Sequence, residues 1–253
     1  MSDIAIWLDL ACIVKKGDIM NKNFQKIFMA FTLAEVLITL GVIGVVSALT
    51  MPTLVKKHQQ QVAVTQLKKA YSELNQAIKF SEAEYGDIEN WDWGQLEPLE
   101  FFNKYFSHYI KIKRTILANT GIKYYQISGA EEKQLWILSW GGHLIMTNSG
   151  YGIILEKNNF DKTGMYIYID INGNKGPNTF GKDVFSFGFL KNKKLLLPVS
   201  WDDGKADNPI TDRNILKNGP SKYNYQCNKT GKGLWCGALI MHDGWKIAPD
   251  YPW

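Results

Sequence analysis

The side chains able to do chemistry are few and widely spaced. Four histidines, His58, His108, His143 and His242, share no ligand spacing with one another or with cysteine, and each reads as a surface or capped residue. One segment concentrates oxygen ligands, with Asp170, Asn172 and Asn174 at alternate positions and Asn178 and Asp183 shortly after. Hard cations such as Ca2+ want several oxygens on a tightly turning backbone, and D-x-N-x-N opens an EF-hand loop. The match then fails, since Gly173 and Gly176 take the fourth and seventh loop positions, Lys175 the sixth, and Gly181 the twelfth, where a bidentate Glu belongs. Two readings stand: a calcium loop using these five residues, and a turn ordered by Asx hydrogen bonds. No G-x-S-x-G, phosphate loop, H-E-x-x-H or Ser/His/Asp order is present, so the sequence predicts no enzyme and no catalytic residue.

The remaining group of interest is Glu35, the single charge within the apolar run of residues 31–55. A carboxylate at such a position costs about 2.5–3.5 kcal/mol on insertion scales and needs a partner. None is expected within its own span.

That run is the only stretch long and apolar enough to cross a bilayer, which excludes a multispanning protein. The chain has 253 residues, 45% hydrophobic and 21% charged, enough for one core of ordinary size and too short for several large domains. A formal charge of +5, with basic pairs scattered at Lys56/Lys57, Lys68/Lys69 and Lys193/Lys194, gives little support to nucleic-acid binding.

Before the apolar run, Lys15, Lys16, Gly17 and Asp18 are compatible with codons containing a GGAGA ribosome-binding sequence just ahead of Met20. This predicts translation from Met20, the alternative being that residues 1–19 are real cytoplasmic sequence. From Met20, Lys22 and Lys26 form a short basic leader that keeps this end in the cytoplasm. In an exported head, Cys227 and Cys236 then suggest a disulfide across a loop containing Asn228, Gly231 and Gly233; buried free thiols are the alternative.

The residues Ala30, Phe31, Thr32, Leu33, Ala34 and Glu35, with the apolar run through Gly44, resemble the class III signal of type IV pilins and type II secretion pseudopilins. The resemblance implies that prepilin peptidase cuts between Ala30 and Phe31 and N-methylates Phe31, making Glu35 the fifth mature residue. Pro52 falls where many pilins carry a helix-loosening proline, whereas Ala30 departs from the usual Gly before the cut. Also implied is the partner for Glu35, the Phe31 amine of an adjacent subunit, a pairing that sets axial register in a filament. Other implied partners are further pilin subunits, an assembly ATPase acting through a platform protein, and a secretin. The protein would sit in a bacterial cytoplasmic membrane, head outward, before joining a periplasmic or extracellular filament. A head of about 170 residues leans towards a minor or lineage-specific subunit.

Beyond Pro52, Val64, Leu67, Tyr71, Leu74 and Ile78 recur every three or four residues, predicting an amphipathic helix that stops near Gly86. The expected organisation is a leader over residues 1–30, an assembly helix over 31–55, its amphipathic continuation over 56–85 and a head over 86–253. A second helix is expected over residues 98–112, and strands over 134–139, 143–146, 152–155, 165–170 and 183–189. Helix first and strands after indicate a pilin-like α+β fold, with the long helix packed on an antiparallel sheet. Trp91 and Trp93, with Trp245, Tyr251 and Trp253, offer a rival function, a membrane-tethered adhesin or glycan-binding module; the same residues could instead pin loops and the chain end to a core.

Overall fold

The computed structural model describes residues 32–117, 121–132, 142–156, 164–173, 175–202 and 209–253. One helix, α1 (Leu33–Tyr85), opens the described chain and continues through Pro52. Contacts divide the chain after Met51 into two units. In the first, most helical residues are apolar and exposed, Leu33, Leu37, Ile43 and Leu49 among them. By length and composition the helix is long and apolar enough to cross a membrane.

The second unit, residues 52–253, is an α+β domain. Here α1 buries Ala63, Val64, Leu67, Ala70, Leu74, Ala77 and Ile78, the three-and-four spacing read in the sequence. Tyr71 lies beside this stripe, its ring 5.6 Å from Phe187 and 5.3 Å from Trp245. Gly86, at φ +81°, takes the left-handed conformation that ends the helix, and its N–H donates to Glu82 O.

Helix α2 (Pro98–Phe106) starts with proline in its first turn and buries Phe101, Phe102, Tyr105 and Phe106. It is shorter than the expected 98–112. Phe106 O accepts from the N–H groups of both Tyr109 and Ile110, which tightens the chain out of the helix. Residues 112 onward instead form β1 (Ile112–Leu117), where β-branched and charged side chains suit an edge strand.

The other strands are β2 (Tyr124–Tyr125), β3 (His143–Thr147), β4 (Gly152–Leu155), β5 (Gly164–Asp170), β6 (Asn178–Thr179), β7 (Val184–Leu190) and β8 (Leu196–Pro198). Four match expected strands to within a residue at each end; the expected strand at 134–139 lies outside the described residues. Six strands form an antiparallel sheet in the order β1-β3-β4-β5-β7-β8, and β2 pairs with β6 in a parallel ribbon.

Both faces of the sheet are covered. Ile153, Ile167, Ile169, Phe185, Phe187 and Phe189 join α1 and α2 in the larger core, whereas Leu144, Ile154, Tyr168 and Val184 face a smaller one with Tyr124 and Phe180. Gly188 leaves space for an indole, since a Cβ there would lie 2.8 Å from Trp201. Two short helices follow, α3 (Arg213–Asn218) and α4 (Cys236–His242). The chain end is fastened by Tyr251 Oη, which donates to Gly181 O at 2.5 Å. Arg213 adds two further ties, to the carboxylates of Asp243 and Asp250.

Candidate functional site

At the start of α1, Thr32 and Glu35 satisfy each other. Glu35 Oε2 accepts from Thr32 N at 2.8 Å and from Thr32 Oγ1 at 2.9 Å, while Glu35 N donates to Thr32 Oγ1 at 3.2 Å. The expectation that Glu35 has no partner in its own span is therefore corrected. The cause is a capping box: a helix start has free N–H groups, and T-x-x-E supplies both acceptors reciprocally. The T-x-x-E spacing that carries this cap is visible in the sequence itself. Further along, Thr39 Oγ1 donates to Val36 O and Thr50 Oγ1 to Val46 O, so these hydroxyls are also satisfied within the helix. Ala30 and Phe31 lie outside the described residues.

The second candidate is the oxygen-rich segment between β5 and β7. Asp170 ends β5 and is fully buried, with Oδ1 accepting from Asn172 N at 3.2 Å. Asn172 Nδ2 donates to Asp183 Oδ2 at 3.3 Å, and Asp183 Oδ1 accepts from Thr179 N. Ile171 N donates to Asp183 O at 2.8 Å, closing a small ring of bonds between the two strand ends. Asn178, in β6, stands opposite Tyr124 in the ribbon. Asn174 lies outside the described residues. The structure thus brings Asp170, Asn172, Asn178 and Asp183 into one locality.

Its electrostatics are unbalanced. Burial, then the neighbouring Asp183 charge, pushes the Asp170 carboxyl well above the usual range. Asp183 is pushed up to about 6, chiefly by burial. The Tyr124 hydroxyl is raised by burial and then by both carboxylates. Among the described residues, no group of three or more His, Cys, Asp or Glu is placed to hold a metal. Any cation here would therefore depend on carboxamide as well as carboxylate oxygen, a donor set that calcium accepts.

The remaining expected residues have structural roles. Cys227 and Cys236 form a disulfide and are both fully buried. Trp91 and Trp93 are also buried, at 4% and 8% exposure, so they form no open stacking surface. Trp91 lies flat on Tyr105, with centroids 4.2 Å apart, and donates to Gly86 O. A pocket of about 240 Å³ is lined by Ser200, Thr211 and His242 among apolar groups. Asp243 is 3.3 Å from His242 but is gripped by Arg213 at 2.7 Å and 2.9 Å, an anchor and not a proton relay.

An α+β domain led by a long apolar helix, with a buried oxygen cluster, defines the class. Residues 53–253 match the model of a family of unknown function, DUF6613, and the chain belongs to that family. The match begins one residue after Pro52, so the apolar start of α1 lies outside it. No curated protein matches the chain. No solved structure does so either.

Proposed function

We propose that this protein is a structural subunit, minor or lineage-specific, of a type IV pilus or type II secretion filament. The observation that carries the reading is the first part of α1. Exposed apolar residues cover it, Glu35 is the only charge from its first turn to Val55, and polar side chains such as Thr39 and Thr50 bond back to their own helix. Such a surface can lie in hydrocarbon and then exchange lipid for the same surface of other subunits. Prepilin peptidase removes the chain through Ala30 and methylates Phe31. The Phe31 amine of one subunit then takes over Glu35 of the next, displacing the local Thr32 contacts. The rest of α1 holds the α+β head, whose covered sheet faces and fastened chain end suit a filament exterior.

With Trp91, Trp93 and Tyr251 buried, an adhesin reading would have to rest on the half-buried Trp245 and Trp253. The decisive experiment is co-expression with prepilin peptidase, followed by mass analysis of the amino terminus. A product beginning with methylated Phe31 is expected. An intact precursor, where a control pilin is cut, rejects the reading.

A further inference from the structure

The surface of α1 changes character twice along its length. Up to Val55 it is largely apolar and exposed, Leu54 and Val55 included. From Ala63 onward it is amphipathic, with one face buried in the larger core. Between the two lies a collar, Lys56, Lys57, His58, Gln59, Gln60 and Gln61, in which every side chain is polar and all but the half-buried Gln60 are exposed. Successive residues turn about 100° around a helix, so six of them leave no apolar face.

A stretch that is polar all round has no core to pack on, and its length shows what it matches. Six residues rise about 9 Å, and the headgroup layer on each side of a bilayer core is about 5–8 Å thick. With Val55 at the edge of the hydrocarbon, the collar crosses the headgroups, and packing against the head begins just beyond them at Ala63.

The charge of the collar is also available. Between Glu35 and Glu73 the helix carries no carboxylate, so Lys56 and Lys57 have no acid three or four residues away. Among the described residues neither lysine forms an ion pair, whereas Lys69, further along, is 3.7 Å from Glu73. A lysine at such a position lays its aliphatic stem against acyl chains and carries its ammonium to the phosphates. Cleavage after Ala30 would also remove Lys22 and Lys26, leaving the mature chain with basic residues at this end of the span alone.

We propose that Lys56 and Lys57 form a docking collar for the phosphates of anionic phospholipids, which fixes the depth of α1 and holds the head at the membrane surface. The inference rests on the membrane anchoring in the reading above and does not require polymerisation.

The test reconstitutes the full chain in mixed phosphatidylcholine and phosphatidylglycerol vesicles carrying a trace of either lipid in spin-labelled form. The motionally restricted fraction of each label measures its preference for the protein. Wild type should favour phosphatidylglycerol at low salt and lose most of that preference in 1 M NaCl, where the Debye length is about 3 Å. Lys56→Gln with Lys57→Gln should fold and insert as wild type does, with the preference lowered by about half or more. Lys22 and Lys26 are the same in both chains, so the difference between them reports the collar alone. Lys68→Gln with Lys69→Gln, about 18 Å further along the helix and beyond the Debye length of about 8 Å in physiological salt, should keep the wild-type preference. Inorganic phosphate at constant ionic strength should not compete; competition would make free phosphate the ligand and overturn the lipid partner. An equal preference in wild type and the Lys56/Lys57 variant overturns the collar. Failure to insert into vesicles overturns it together with the anchor, whereas inserted protein that prepilin peptidase leaves intact overturns only the filament reading.

Discussion

Thr32 and Glu35 form a reciprocal pair at the start of α1, each side chain taking the other's backbone N–H. Glu35 thus has two separable roles, a cap on its own helix and, in the filament reading, a charge offered to a neighbour. Glu35→Gln separates them, because Gln also serves in a capping box but carries no charge. We expect Glu35→Gln to insert, to be cleaved and to fold as wild type does, while the ratio of protein in sheared filaments to protein in membranes falls steeply. Glu35→Ala should lose the cap as well, at a cost of about 0.5–2 kcal/mol to the helix start. An unchanged ratio for Glu35→Gln would mean that the charge makes no contact between subunits.

Trp91 rests against Tyr105 at 4.2 Å and touches the rings of Phe101, Phe106 and Phe189. Trp91→Ala should destabilise the head by about 3–5 kcal/mol, read from urea unfolding followed by circular dichroism. A stable variant that had lost attachment to glycans would instead revive the binding-module reading.

Glu156 and the carboxylates at the chain end give pH dependences of opposite sign. Burial raises Glu156, whose Oε2 accepts from Tyr168 Oη at 2.6 Å, with Tyr225 close enough to sense its charge. The native state holds that proton more tightly than the unfolded chain. Its stabilising contribution is full below pH 4.5 and is lost as pH rises through the raised value. Asp243 is pushed up by burial but lowered overall by Arg213 and His242 together, and Asp250 is lowered by Arg213 and Lys217. Their contribution is present above pH 3.8 and fades as pH falls through the lowered values. Glu156→Gln should therefore flatten the loss of stability on the alkaline side and leave the acid limb unchanged. Melting curves of both proteins across pH, compared as a difference, isolate this group.

The Cys227–Cys236 bond closes a loop of nine-residue separation. Replacing both cysteines by Ser should lower unfolding free energy by about 2–3 kcal/mol on the loop-entropy model. Thermal unfolding of the double variant against the oxidised protein measures it, and an unchanged midpoint would show that the surrounding contacts already restrain this loop.

The parts of the fold most legible in the sequence were those with strong periodicity. The stripe from Val64 to Ile78 and the alternating Ile and Phe of β5 and β7 each send one set of side chains into the larger core, so pattern and packing agree. The end of α2 differs from its apolar spacing because Tyr109 and Ile110 continue that spacing although a turn, not the helix, packs them. The ribbon was invisible for a different reason. Its strands are two residues each, and their pairing depends on chain segments far apart in sequence. At the candidate sites, the oxygen spacing around Asp170 was plain, but its unbalanced electrostatics could be recognised only once burial was known. The Thr32 contact is legible as a T-x-x-E spacing, set against a strongly apolar run whose hydropathy is the larger signal.

The two ends of the large sheet are unlike its centre. At one, β1 is irregular between Ile112 and Arg114 and carries exposed Lys113 and Arg114; at the other, β8 has three residues and ends in Pro198. A bulge, like charges and a residue without an N–H each discourage a strand from recruiting another strand. Heads crowded side by side along a filament would meet at very high local concentration, where unguarded edges fuse into continuous cross-β structure. In the filament reading, these edges would make such fusion unfavourable and leave association to the helix, so that each head could remain a separate folding unit even when densely packed.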